Sequence, residues 1–446
     1  MELTKEQKEI LTCAERIKKG QIIKINAFAG TGKTFILSQI AKSQPYKTFL
    51  YLAFNKSIVE ESRKKFPPNV TISTTHSLAH RAIVGKNSSV RQDYKTIEIA
   101  DMLNIDFQKA WEALRELNNF FSSSDKEINK KKESGFFASQ IYKMMEDKEI
   151  DITHSYYLKK FQLLDNHGID KYDFVLLDEA QDTNDVTLDI FLRAKGAKIL
   201  VGDTHQAIYA FRGAEDAMQK VKADYSLYLS TTFRCCQHVV DRANFVLRNF
   251  KGESVPIISS AIGEPTEDTY AVISRTNGKI IEAFAEYDED YKLVKNPGSI
   301  FALPFALSSW LNNEKDKIRP DYEWLKKFTS EAELKDYAEK TGDVELASSL
   351  SMAKRYGKGL YYFYKNAMSA YRSKSGIVLA TGHISKGLEF DKIELESDFP
   401  ALEQVFAEGG EGKLNAVEEA NLYYVATTRA KWQIDDKSKN NKFFEV

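Results

Sequence analysis

"QIIKINAFAGTGKT", Gln21 to Thr34, decides how the rest of the chain is read. Its first half is rich in β-branched residues and reads as a strand; its second half breaks into glycines and leads into a helix from about Thr34. "AFAGTGKT" (Ala27–Thr34) has the spacing of a phosphate loop, G-x-x-x-x-G-K-[ST], with Ala27 where the first glycine usually stands. Gly30 and Gly32, flanking Thr31, let successive backbone N–H groups turn inward as an anion nest, and the following helix adds its positive end. Lys33 can reach β- and γ-phosphates, and the Thr34 hydroxyl can hold Mg²⁺. A tight turn with an incidental lysine is the plainer alternative, and the strand before and helix after argue against it.

A second stretch answers the first. "FVLLDEAQDTN" (Phe174–Asn184) reads as a buried strand that ends abruptly in acids. In a phosphate-loop fold, the acid at the end of a neighbouring strand is the Mg²⁺ partner, a role that falls to Asp178. Glu179 beside it can polarise the attacking water as general base. Asp182 is expected to serve structure or coupling rather than metal. The reaction class is hydrolysis of a nucleoside triphosphate.

Composition sets the frame. The 446 residues are enough for more than one core, and 43% hydrophobic with 28% charged residues describes a globular protein. No apolar run approaches the ~18 residues of a membrane span, so no membrane partner is expected. Cys13, Cys235 and Cys236 form no CxxC pair, which fits a reducing cytoplasm (nucleoid-associated, or host cytoplasm for a viral protein). A formal net charge of −1 means that nucleic acid would be held in a local groove rather than by bulk charge.

Further strands are expected at 48–55, 70–74, 174–178 and 197–203, separated by helical patterns, which predicts a parallel sheet covered on both faces. Strand signals vanish from 82 to 165, where segments such as "FQKAWEALRELNNFF" have helical spacing; the lysine run at 129–134 reads as a solvated turn. A second α/β unit is expected after Asp203, with strands at 225–230, 269–277, 376–383 and 391–397 and a tyrosine-rich helical interruption from 298 to 374. The α/β architecture is therefore two parallel-sheet lobes, 1–81 with 166–203 and 204–297 with 375–446. Helical insertions at 82–165 and 298–374 interrupt them.

The remaining motifs run in order: "LTKEQ" (3–7), "DEAQD" (178–182), "VGDTHQAIYAFRGA" (201–214), "LSTTFRC" (229–235), "TGHISKGLEFD" (381–391) and "EEANLYYVATTRAK" (418–431). With the phosphate loop they resemble superfamily-one helicases of the UvrD/PcrA/Rep type over nearly the whole chain. "YLAFNKSI" and "TGHISKGLEFD" look most like the helicase region of the F-box DNA helicases. The first motif starts at residue 3, so no F-box segment and no ubiquitin-ligase role are expected.

The resemblance implies two RecA-like lobes (1A and 2A) with insertions 1B and 2B, and ATP with Mg²⁺ as cofactors. It implies that Gln7 reads the adenine edge, Phe233 stacks on the adenine and Glu389 accepts from the ribose. Gln206 would sense the γ-phosphate, while Arg234 and Arg429 reach across from the second lobe as arginine fingers. A core phenylalanine and salt-bridged arginines are the competing readings. Phe35 stands where relatives often carry arginine, which shifts adenine stacking toward Phe233.

The same resemblance places Phe54, Asn55, Thr75, His76, Tyr209, Phe211, Arg212, Arg275, Asn277 and His383 along a single strand of DNA. Core packing competes for Phe54 and Tyr209. The implied activity is 3′→5′ translocation on single-stranded DNA and at single-strand/duplex junctions, with unwinding. Removal of bound proteins such as recombinase filaments is also implied, with a recombinase or replication protein as candidate partner. A translocase that clears proteins without unwinding, and a slow ATP-gated subunit of a larger complex, are the alternatives. The insertion at 298–374 looks short for the family, and with 15 residues after Lys431 no nuclease or partner-recruiting tail is expected.

Overall fold

The computed structural model describes residues 2–84, 89–209, 216–264, 266, 268–286, 290–341, 344–374, 376–407 and 415–444. They form two compact units: residues 1–234 with 255–260, and residues 235–254 with 261–446.

The first unit is built on six parallel strands: β1 (Ile22–Ala27), β2 (Phe49–Leu52), β3 (Val70–Ser73), β4 (Phe174–Leu177), β5 (Ala197–Gly202) and β6 (Tyr225–Leu229), in the order β3-β2-β4-β5-β1-β6. β2, β4 and β5 are buried along their whole length, which is why they are continuous apolar runs in the sequence. One face packs on helices Lys5–Arg16 and Lys33–Ser43 through Ile10, Ile36, Leu37 and Ile40. The other face shares one core with the helical insertion, where Leu50, Val175 and Leu200 join Leu117, Phe121, Ile141 and Phe161. Each such fully buried side chain contributes roughly 1.5–3 kcal/mol. The insertion holds helices Thr96–Leu103, Phe107–Ser122, Glu133–Glu146 and His154–Gln162, and, against the expectation of no strands, a short parallel pair, Val90–Arg91 with Ile152–Thr153; Lys130, Lys131 and Lys132 sit exposed as expected of a solvated turn.

One boundary is corrected. The first lobe was expected to end at Asp203, with 225–230 opening the second. Instead β6 pairs in parallel with β1, from Ile23 opposite Tyr225 to Ala27 opposite Leu229, and the Ile22 N–H donates to Asp224 Oδ2 at 2.7 Å. A strand's own pattern says that it will pair, not with which sheet.

The second unit has five parallel strands: β7 (Tyr270–Ser274), β8 (Tyr291–Leu293), β9 (Ile377–Thr381), β10 (Phe390–Leu395) and β11 (Ala430–Asp436), in the order β8-β9-β7-β10-β11. Helices Gln237–Lys251 and Ala416–Thr427 pack together beside it. Between β8 and β9 the chain is helical, and Leu307, Trp310, Leu334, Leu346 and Leu350 give that insertion its own core.

Candidate functional site

All six strands of the first sheet run the same way, so the segments that follow them emerge at one edge, where parallel α/β sheets bind ligands. β1 delivers the phosphate loop, β2 delivers Phe54 and Asn55, and β3 delivers Thr75 and His76. β4 delivers Asp178 and Glu179, β5 delivers Asp203, Gln206 and Tyr209, and β6 delivers Phe233 and Arg234.

The loop is shaped by glycine where it must be. Gly30 and Gly32 lie at φ 72° and 86°, in the left-handed region that favours glycine. At Gly30 space decides as well: a Cβ would lie 2.5 Å from Thr232 Oγ1 and 2.6 Å from the Arg234 Cβ. Ala27 is buried at the end of β1, and the Thr31 hydroxyl donates to the Phe28 carbonyl at 2.8 Å, closing the turn. The Phe233 N–H donates to the Gly30 carbonyl at 3.0 Å. This corrects the expectation that Arg234 sits on the second lobe: its backbone lies against the phosphate loop within the first unit, because the chain leaves β6 at the same sheet edge.

Lys33 Nζ lies 3.4 Å from Glu179 Oε1. Burial pulls the Lys33 ammonium down, but Glu179, Asp203 and Asp178 outweigh it and hold the group above its ordinary value, so it stays cationic. Asp178 is pushed up to about 6, by burial first and by the neighbouring Glu179 charge second. Its Oδ2 accepts from Thr34 Oγ1 at 3.3 Å and from the Tyr51 hydroxyl at 2.5 Å. A hydroxyl and a carboxylate meeting at one point fit Mg²⁺, which takes one or two protein oxygens and fills its shell with phosphate and water.

Tyr51 was missed from the sequence. A tyrosine inside the buried run "FLYL" was the available signal, since a buried phenol needs a partner for its hydroxyl. Beyond the acids, Gln206 Nε2 donates to Asp203 Oδ2 at 2.7 Å. Gln7 is 3% exposed, and its Oε1 accepts from the Thr4 N–H in a capping box. Phe35 is 45% exposed and Phe233 half-buried.

Two clefts open on the same unit. The smaller, about 170 Å³, is lined by Phe54, Thr75, His76, Asp178, Asp182 and Tyr209. Phe54 is 43% exposed and stacks with Tyr209 at 6.0 Å between ring centroids and 14° between planes, so neither ring is plain core. The larger, about 770 Å³, shares Phe54 and His76 and adds Asn55, Lys56, Arg63 and Arg81. Asn55 Oδ1 caps the following helix at the Ile58 N–H, 2.9 Å away. Desolvation first, and the His154 charge second, hold the His76 imidazole below its ordinary value, although its edge remains open to solvent. Phe211 and Arg212 lie outside the described residues.

The second unit holds the remaining candidates. Arg275 forks onto Glu419 at 2.7 and 2.9 Å, a bidentate pair that fixes it to helix Ala416–Thr427. Arg429 is 1% exposed; its guanidinium donates to the carbonyls of Val425 (2.8 Å) and Leu388 (3.2 Å) and to the Thr428 hydroxyl (3.1 Å). Glu389 is exposed, Asn277 opens the helix after β7, and His383 lies on the short helix after β9, half-buried.

Comparison with known proteins agrees with this chemistry. Residues 137–226 match the family model of the UvrD/REP helicase N-terminal domain, a stretch that contains Asp178, Glu179 and Gln206. F-box DNA helicase protein 1 of Schizosaccharomyces pombe is 32% identical over 96% of this chain and 56% of its own length. F-box DNA helicase 1 of Gallus gallus is 29% identical over 97% of this chain and 48% of its own length. DNA helicase II of Escherichia coli is 23% identical over 51% of this chain and 38% of its own. The chain thus spans about half the length of the first two relatives.

Proposed function

The chain belongs to the UvrD-type superfamily-one helicases, and from that membership we propose that it is an ATP-driven motor on single-stranded DNA. The observation that carries the reading is one sheet edge that presents Lys33, Thr34, Asp178, Glu179 and Gln206 beside the stacked pair Phe54 and Tyr209. Hydrolysis chemistry and a base-stacking surface are neighbours there.

Lys33 binds the β- and γ-phosphates, and the backbone N–H groups around Gly30, Thr31 and Gly32 complete the cradle. Thr34 and Asp178 would hold Mg²⁺, which supplies neutralisation of the phosphate charge. Glu179 takes the proton of the attacking water, Gln206 orients that water, and Arg234 and Arg429 are assigned the charge that develops on the γ-phosphate. Gln7, Phe233 and Glu389 are assigned the base and ribose. Bases stack on Phe54 and Tyr209, while Asn55, Thr75, His76, Arg275, Asn277, His383 and the 211–212 pair complete the track. Movement is 3′→5′, with unwinding at junctions and displacement of bound protein as its consequences.

The test is ATP turnover by the full chain with single-stranded DNA, single-stranded RNA and duplex, then unwinding of duplexes tailed on either end. Strand-stimulated turnover and unwinding from a 3′ tail are expected; turnover indifferent to strand would overturn the motor. Glu179→Gln is expected to lower turnover roughly 10²–10⁴-fold while strand binding persists. Full turnover in that variant would remove Glu179 from the general-base role.

A further inference from the structure

Gln181 is 1% exposed, and its carboxamide is held at both ends. Nε2 donates to Glu179 Oε2 at 2.5 Å and to Asp182 Oδ2 at 3.2 Å, while Oε1 accepts from the Asp203 N–H at 3.0 Å. Two donors and an acceptor in one plane are what a carboxamide offers and a carboxylate does not. The seat is made to measure: a Cβ on Gly202 would lie 2.5 Å from Gln181 Oε1.

The neighbours give this amide its meaning. Glu179 holds a left-handed backbone at φ 51°, which costs a residue with a Cβ about 1–2 kcal/mol. Its carboxylate is therefore aimed by a constrained backbone and by Gln181. Asp203, at the acceptor end, takes the Gln206 amide on Oδ2 and the His205 N–H on Oδ1 at 3.0 Å. Asp182, at the donor end, lines the small cleft with Phe54, Thr75, His76 and Tyr209. One amide group thus joins a hydrolytic carboxylate, the anchor of Gln206 and a carboxylate of the aromatic cleft.

We infer that Gln181 is a positioning residue that reports occupancy of the cleft by single-stranded DNA to Glu179. The inference rests on the reading of that cleft as the strand site. A strand entering beside Asp182 shifts that carboxylate, and because Asp182 and Glu179 share the two protons of one amide nitrogen, the amide plane turns and Glu179 is re-aimed at the attacking water. Stimulation of turnover by the strand passes through this amide.

The experiment uses the full chain, ATP and an oligo(dT) strand. Turnover is measured with and without saturating oligo(dT), and strand affinity by fluorescence anisotropy, for wild type and Gln181→Met. The stimulation ratio is expected to fall at least about fivefold, with the ATP KM and the strand affinity changed less than about twofold. A merely structural role would move affinity and melting temperature together with the ratio. Gln181→Leu, which fills the seat but can neither donate nor accept, gives the same readout if Gln181→Met fails to fold. Undiminished stimulation in the variants, or loss of strand affinity in step with stimulation, overturns the inference and leaves the motor standing. A wild type that oligo(dT) neither binds nor stimulates overturns both.

Discussion

Phe54 and Tyr209 are where one side chain's environment decides its meaning. Either could have filled a core; Phe54 is exposed, Tyr209 is half-buried, and the two stack on each other in a cleft, as the proposed strand site requires. Base stacking on an aromatic ring is worth roughly 1–3 kcal/mol, so Phe54→Ala and Tyr209→Ala are each expected to weaken oligo(dT) binding about 5- to 150-fold in an anisotropy titration. Binding unchanged in both variants would return these rings to a structural role. That Lys33, Thr34, Asp178 and Glu179 would come together was legible, because the phosphate loop and the acids are local patterns at the ends of two readable strands. Tyr51 was not, because the fold brings it to Asp178 across 127 positions of sequence; Gln181 sits among the acids in the sequence, but its Asp203 contact, 22 positions away, appears only in the fold.

Among the elements, strands with an apolar or β-branched run were readable, short β3 and exposed β6 included, and two without such a run were not. β2, β4 and β5 announce themselves as apolar runs. β8 has three residues, and β11, "AKWQIDD", is a half-polar edge strand directly behind a helical motif, so neither has a pattern of its own. The helical insertion hides a different feature. Lys159, on helix His154–Gln162, is fully buried; its ammonium donates to the carbonyls of Ser123 and Asp125 and lies 4.2 Å from the centre of the Phe120 ring. Burial pushes it down to about 8. The unfolded chain, with the ordinary lysine value near 10.4, then holds more protons than the folded one between about pH 8 and 10. Stability from this group is therefore lowest below pH 8 and rises with pH through that window, by roughly 1 kcal/mol per pH unit. Melting curves at pH 7.5 and 9.5 are expected to show this gain for wild type relative to Lys159→Met; parallel curves would refute it.

For the whole molecule, a formal charge of −1 conceals a local excess of cations, since Lys56, Arg63 and Arg81 line one cleft of the first unit against the single acid Glu60. Phosphate contacts fix the position of a strand without reading its sequence, which would suit the motor proposed above. The chain passes between the units at 234/235, 254/255 and 260/261. The excursion at 255–260 returns Ile258–Ser259 to pair with Thr231–Thr232, just before Phe233 and Arg234, while the helix Gln237–Lys251 that it follows buries Val239, Val240, Ala243, Val246 and Leu247 in the second unit. A gene truncated after residue 234 would strip that pairing from its own product; one truncated after 260 would carry an oily helix with nothing to cover it. Both pieces are expected to be recovered from cells mostly as insoluble material, and a soluble, ATP-binding 1–234 fragment would contradict this. Neither unit is one continuous stretch of the gene, so no single cut releases either of them whole.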